Sequence, residues 1–183
     1  MLKYIYLQLR KFKLNLKMNL QPDILEDELI YLRPVKESDF EKLYRAASDP
    51  EIWIQHPETE RYKKEHFEKY FRGAIESKGA FVVFDKKTDE VIGCSRYYDY
   101  DENKKRIAIG WTFLIKRCWG GKYNKALKKL MMDYAFQFVD SIIFHIGEDN
   151  IRSRKAIEKI GGKLINEHYE EKNHVVYEIK KKG

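Results

Sequence analysis

One stretch, residues 106–162, limits the possible folds of this chain more than any other. It reads RIAIGWTFLIKRCWGGKYNKALKKLMMDYAFQFVDSIIFHIGEDNIRSRKAIEKIGG. An apolar strand at 106–114 leads into a turn holding Gly120 and Gly121, then a long amphipathic helix. A second apolar strand ends at Gly147, and Asn150 opens a short helix. A strand, a helix and a strand in succession form a parallel crossover unit. A glycine turn at a helix N-terminus is also an anion site. Unpaired N–H groups point out of the first helical turn, and the helix dipole adds partial positive charge. Gly120 and Gly121 allow a phosphate close to the backbone, with Arg117, Lys122 and Lys125 as nearby cations.

Two better-known phosphate loops are excluded by spacing. A triphosphate loop needs GxxxxGK followed by Ser or Thr, and here Tyr123 follows Gly121-Lys122 with no glycine five residues before Gly121. A dinucleotide fingerprint GxGxxG is absent as well, because no glycine lies two or three residues from the pair Gly120-Gly121.

The rest of the chain sets a sheet around this unit. Residues 29–34 read as a first strand. Ser38 is the expected cap of a helix reaching Ala47, with Phe40, Leu43 and Tyr44 on one face. Asp49-Pro50 stops it. A second helix is expected over 63–77, from the helical recurrence of His66, Phe67, Tyr70 and Phe71. Strands at 80–84 and 91–100 flank the turn Lys86-Lys87-Thr88-Asp89, and the meander continues into 106–114. The crossover helix carries Tyr123, Leu127, Leu130, Met131, Tyr134 and Phe138 as a core stripe, with Lys125, Lys128 and Lys129 off it. Residues 163–171 and 174–180 read as a closing hairpin across Lys172-Asn173. The expected class is α/β, more narrowly α+β: a mixed, mostly antiparallel sheet of six to seven strands flanked by helices.

A length of 183 residues suits one domain with a real core. No apolar run approaches the roughly 18 residues of a membrane span. Cys94 and Cys118 are the only cysteines, which suggests no disulfide framework and a cytoplasmic setting. The five histidines include no pair at metal-ligand spacing on one helix, so no metal is expected. Of the net charge of +7, five charges lie in residues 1–17, which contain no acid; the rest of the chain carries only +2. Residues 1–28 are therefore read as a basic extension and 29–183 as the domain. Met18 offers an alternative start.

The turn and the helix after it resemble those of the GCN5-related N-acetyltransferases (GNAT), in particular the branch that includes the ribosomal-protein N-terminal acetyltransferases. That family carries Gln/Arg-x-x-Gly-x-Gly/Ala at the coenzyme pyrophosphate. Arg117 and Gly120 fit it, and Lys122 departs from its last position. Trp119-Gly120-Gly121-Lys122-Tyr123 matches a Trp-Gly-x-x-Tyr turn common in the branch. Asn150-Ile151-Arg152-Ser153 and Lys159-Ile160-Gly161 match the family's second motif. The resemblance covers residues 29–181.

It implies acetyl transfer from acetyl-CoA to a primary amine, of a protein N-terminus or a small molecule, by direct attack. It implies a coenzyme site at Leu114, Ile115, Arg117, Trp119, Gly120, Gly121, Lys122, Tyr123, Asn124, Asn150 and Lys155. Asn150 would hold pantetheine or acceptor, and Ser153 would donate to the leaving sulfur. Asn150 also suits an N-cap and Ser153 a third helical position. Other branches carry a tyrosine acid later on this helix, where Ile157 and Glu158 stand here. The glutamate many relatives carry before Gly110-Trp111 is replaced by Ala108 and Ile109. His56 is the leading base candidate, with His145, Asp99 and Glu102 as alternatives; Cys118 is read as a packed turn residue. Trp53, Tyr97, Tyr98, Tyr100 and Trp111 are candidates for an acceptor pocket. The expected partners are acetyl-CoA and an amine, and a homodimer stays open. Two rival readings are a non-catalytic coenzyme- or nucleotide-binding relative, and a nucleic-acid-binding protein resting on the basic extension.

Overall fold

The computed structural model describes residues 19–165 and 173–182. Among them are eight strands: β1 (Leu25–Glu26), β2 (Ile30–Pro34), β3 (Ala80–Asp85), β4 (Glu90–Asp101), β5 (Arg106–Leu114), β6 (Ser141–Gly147), β7 (Lys163–Ile165) and β8 (His174–Lys180). Four α-helices accompany them: α1 (Phe40–Ala47), α2 (Lys64–Glu76), α3 (Lys122–Ala135) and α4 (Ile151–Lys159). The strands form one sheet in the order β1-β2-β3-β4-β5-β6-β8-β7. Every pairing is antiparallel except β5 with β6, where α3 makes the crossover.

The expected mixed, mostly antiparallel sheet is thus present, with one strand more than expected. The addition is β1, which pairs Leu25 with Leu32 and is too short to show alternation in sequence. Residues before it also meet the domain: Gln21 Nε2 donates to the Ala80 carbonyl at 3.0 Å, and Tyr134 Oη to that of Asn19 at 2.8 Å. Ser38 is not the cap of α1. Buried Asp39 orders that corner, accepting the Lys36 N–H at 2.8 Å and a two-pronged ion pair from Arg33 at 2.6 and 2.7 Å. A carboxylate can satisfy backbone and guanidinium together, which a hydroxyl cannot. The tip of the expected closing hairpin, with most of its first strand, lies outside the described residues.

Alternation along β3 assigns the two faces. Ala80, Val82 and Phe84 pack with α1 and α2, while Phe81 and Val83 pack with Leu127 and Met131 of α3. The sheet is therefore covered on both sides, and β3 is buried along its whole length.

The feature that makes a site is a divergence between β5 and β6. They pair only over Arg106–Ala108 with Ser141–Ile143, and then separate. The cause is a bulge on the other edge of β5. Cys94 pairs with Phe113 and Arg96 with Gly110, so two steps on β4 face three on β5. A bulge of this kind bends its strand. Trp111 sits inside it at φ +51°, a conformation that bulky residues adopt only under constraint. Two contacts supply that constraint: Tyr70 Oη donates to the Trp111 carbonyl at 2.6 Å, and the Ser95 and Thr112 hydroxyls pair at 2.8 Å.

Candidate active site

The gap between β5 and β6 widens into a cavity of about 710 Å³. The glycine turn and its flanks contribute Leu114, Trp119, Gly120, Gly121, Asn124 and Lys125, and α4 with its cap contributes Asn150, Ser153 and Lys155; the lining also includes His56, Glu58, Arg61, Tyr98, Trp111, His145 and His174.

The glycine turn is built as the sequence suggests. Gly120 adopts φ +68°. Gly121 is the N-cap of α3 and has no side chain to occupy the first-turn N–H groups. Trp119 ties the turn back to β5, its Nε1 donating to the Leu114 carbonyl at 2.8 Å. Arg152 of α4 stacks over the same ring, 4.1 Å from its centre.

Several residues expected at a coenzyme site have partners within the fold. Arg117 bridges Asp85 at 3.2 Å and Glu90 at 2.6 Å, and Tyr123 Oη donates to Asp85 at 2.8 Å. Lys122 lies over the ring of Tyr123. Arg117 and Tyr123 fasten the turn to the β3–β4 hairpin, and all three residues stand outside the cavity lining. Ile115 does too, its N–H donating to the Ile92 carbonyl at 2.9 Å.

Asn150 is a buried N-cap of α4, its Oδ1 accepting the Ser153 N–H at 3.1 Å. Both residues line the cavity, so capping and facing the gap occur together. Cys118 also lines it, and burial pushes its thiol pKa up. That disfavours a thiolate nucleophile.

The His56–Arg61 part of the lining is assembled from distant segments. His56, in the chain between α1 and α2, accepts the Glu58 N–H through Nδ1 at 3.1 Å. Arg61 Nη1 lies 3.0 Å from its Nε2. Burial first, then the Arg61 charge, hold its pKa down to about 3, so it is a neutral imidazole at pH 7. Arg61 in turn stacks over Trp53, Tyr70 and Trp111. Tyr98 of β4 reaches across β5 to His145 of β6, with Oη 2.9 Å from Nδ1. It can cross because residue 110 is glycine; a Cβ there would stand 2.9 Å from the tyrosine ring. Of the other residues singled out, Trp53 and Trp111 line the cavity; Tyr97, Tyr100, Asp99 and Glu102 do not.

Sequence reasoning missed Lys128. It was expected off the buried stripe of α3, yet it is 4% exposed and lines the cavity. Its Nζ donates to Thr112 Oγ1 at 2.7 Å, and burial lowers its pKa to about 7. One signal was available: Lys128 lies four residues after cavity-lining Asn124, on the same helix face.

Comparison with known proteins places a chain with this split sheet and glycine turn among the acetyltransferases. The family model described as an acetyltransferase (GNAT) domain matches residues 30–163. The chain belongs to the GNAT acetyltransferase family. Similar solved structures include a GCN5-related N-acetyltransferase from Brucella melitensis, with 20% identity and TM-score 0.76, covering 90% of this chain and 83% of that one. An acetyltransferase from Agrobacterium tumefaciens has 20% identity and TM-score 0.71, covering 91% and 98%. A Vibrio cholerae protein described as a ribosomal-protein-serine acetyltransferase has 14% identity and TM-score 0.67, covering 88% and 99%.

Proposed function

We propose that this chain transfers the acetyl group of acetyl-CoA to the primary amine of a protein N-terminus or small molecule, by direct attack. The observation that carries the proposal is the single cavity running from the glycine turn to the His56–Arg61 end.

In this reading the pyrophosphate sits on the backbone N–H groups where α3 begins, around Gly120, Gly121 and Asn124, with Lys125 and Lys155 beside it. The pantetheine arm extends along the unpaired edge of β5 past Leu114. The side chains of Arg117 and Tyr123 act indirectly, by holding the turn. Asn150 fixes the start of α4 and so the place of the Ser153 hydroxyl, which donates to the departing sulfur. A thiol of ordinary pKa, about 8.5, leaves readily as thiolate, so positioning supplies much of the rate. The amine approaches past His56, Glu58 and Arg61. His56, neutral and weakly basic, serves there as a hydrogen-bonding partner for the amine more than as a proton sink. The likeness to the Vibrio cholerae protein supports a protein among the acceptors. Free, buried Cys94 and Cys118 fit a reducing compartment, the cytoplasm.

The test is thiol release from acetyl-CoA with a panel of peptides of varied first residue and a panel of small amines. Amine-dependent release is expected. Tight acetyl-CoA binding with no release for any amine favours the non-catalytic reading.

A further inference from the structure

Lys128 is an anomaly within the fold. Its ammonium group is buried where α3 meets the opening between β5 and β6, and a Met or Leu would fill the same space without desolvating a charge. Among the described residues no carboxylate lies within 4.0 Å of Nζ. Its contacts are the Thr112 hydroxyl at 2.7 Å and the Phe144 ring, whose centre is 5.6 Å away. Thr112 is fixed in turn by Ser95 at 2.8 Å and by the Gly110 carbonyl at 3.2 Å. The lysine is therefore aimed at the bulged segment of β5, with donor hydrogens to spare and a cavity in front of it.

We propose that Lys128 is a catalytic residue, its ammonium group meeting the thioester oxygen as that oxygen becomes negative. This rests on the acetyl-CoA reading given above. Lys128 lies seven residues along α3 from Gly121, roughly 10 Å by helical rise. A pantetheine arm running from the pyrophosphate along β5 reaches that depth. The side from which Lys128 projects selects its role. His56, Glu58 and Arg61 belong to the chain joining α1 and α2, which cover one face of the sheet; α3 covers the other. An amine arriving past His56 attacks the carbonyl carbon from the first face. Lys128, on the second, meets the oxygen rather than the incoming nitrogen.

The step balances without a co-reactant. The amine lone pair forms the N–C bond and the carbonyl π pair moves to oxygen beside the ammonium group. The pair then returns, the C–S bond breaks and its electrons leave on sulfur. The proton shed by nitrogen passes to solvent, and Lys128 keeps its own. A fixed cation in a water-poor site is a strong device for stabilising such an oxyanion. Its lowered pKa fits as well, because a nearby anion draws the proton back onto a lysine that burial has weakened.

The test uses acetyl-CoA carrying a 13C-labelled thioester carbonyl, without amine, followed by infrared difference spectroscopy and calorimetry. In the native complex the carbonyl stretch should move to lower wavenumber than in solution. In Lys128→Met that shift should be lost while coenzyme affinity stays within about threefold, since the phosphates bind elsewhere. An equal shift in native and variant complexes overturns the proposal. So does an unshifted band in the native complex, whatever the variant does. If the native protein does not bind acetyl-CoA at all, calorimetry shows it, and the coenzyme reading falls together with this one.

Discussion

At the glycine-turn end of the cavity, most of the lining residues fall within twelve consecutive positions, 114–125, and face one helix start. At the other end they come from the α1–α2 connection, β4, β5, β6 and β8. The first end presents backbone N–H groups that any sequence with suitable glycines can offer. The second presents side chains whose meeting depends on a bulge, a glycine crossing and a bent strand. One end follows from local chain geometry, whereas the other exists only once the whole sheet is assembled.

The contrast can be broken most severely at Gly120. Gly120→Val puts a β-branched residue at φ +68°, where L-residues are strained. The turn should reshape and forfeit two or more charge-assisted backbone bonds, each about 1.5–3 kcal/mol. Acetyl-CoA affinity should fall by about a hundredfold or more by calorimetry, with the circular dichroism of the fold retained. Undiminished affinity would separate the turn from the coenzyme.

Lys128 joins the two ends and should show the largest stability effect. Its pKa falls from 10.5 in the unfolded chain to about 7 in the fold, with burial as the cause. Between those values the unfolded chain holds a proton that the native state lacks. Native stability should therefore rise with pH from 7 to 10.5 relative to Lys128→Met, by about 1.4 kcal/mol per unit, and the gap should be constant below pH 7. Lys128→Met should be the more stable protein at pH 7 in urea unfolding. Parallel curves for the two proteins would mean that the lysine is not buried in solution.

Gly110→Ala tests the assembled end alone. The added methyl meets the Tyr98 ring at 2.9 Å and should displace Tyr98 from His145. A stability loss of about 1–3 kcal/mol is expected from the overpacking. The acceptor KM should rise while the acetyl-CoA Kd stays put. A change in Kd equal to that in KM would show that the two ends are not separable.

The smallest effects belong to α4. Ser153→Ala should lower kcat by about tenfold to a hundredfold, at or below the low end of general-acid help. Asn150→Ala should cost about 1 kcal/mol of stability through the lost cap. An unchanged chemical step in Ser153→Ala would remove that hydroxyl from the reaction.

These differences follow what could be read from the chain. The strand at 106–114, the turn at Gly120-Gly121 and the Asn150 cap were legible because each is fixed by neighbours in sequence. The bulge at Trp111 was not, because a tryptophan at positive φ contradicts local preference and is imposed by Tyr70, Ser95 and Thr112. Lys128 reads as a surface residue by helical periodicity, since nothing local reveals that two strands part above it. Arg117 and Tyr123 look like ligand contacts beside the glycines, and only the position of Asp85, more than thirty residues earlier, turns them into braces. His56 was found as a loop histidine, but its weak basicity comes from burial and then from Arg61, neither visible as a motif.

The central claim is that one continuous cavity takes the coenzyme at the locally built end and leaves the assembled end for the acceptor. Amide hydrogen exchange of the full chain, with and without acetyl-CoA, tests it most directly. Slowed exchange should be confined to residues 113–125 and 150–156, with little change at 56–61. Protection concentrated at 56–61, or none at the glycine turn under saturating acetyl-CoA, would contradict it.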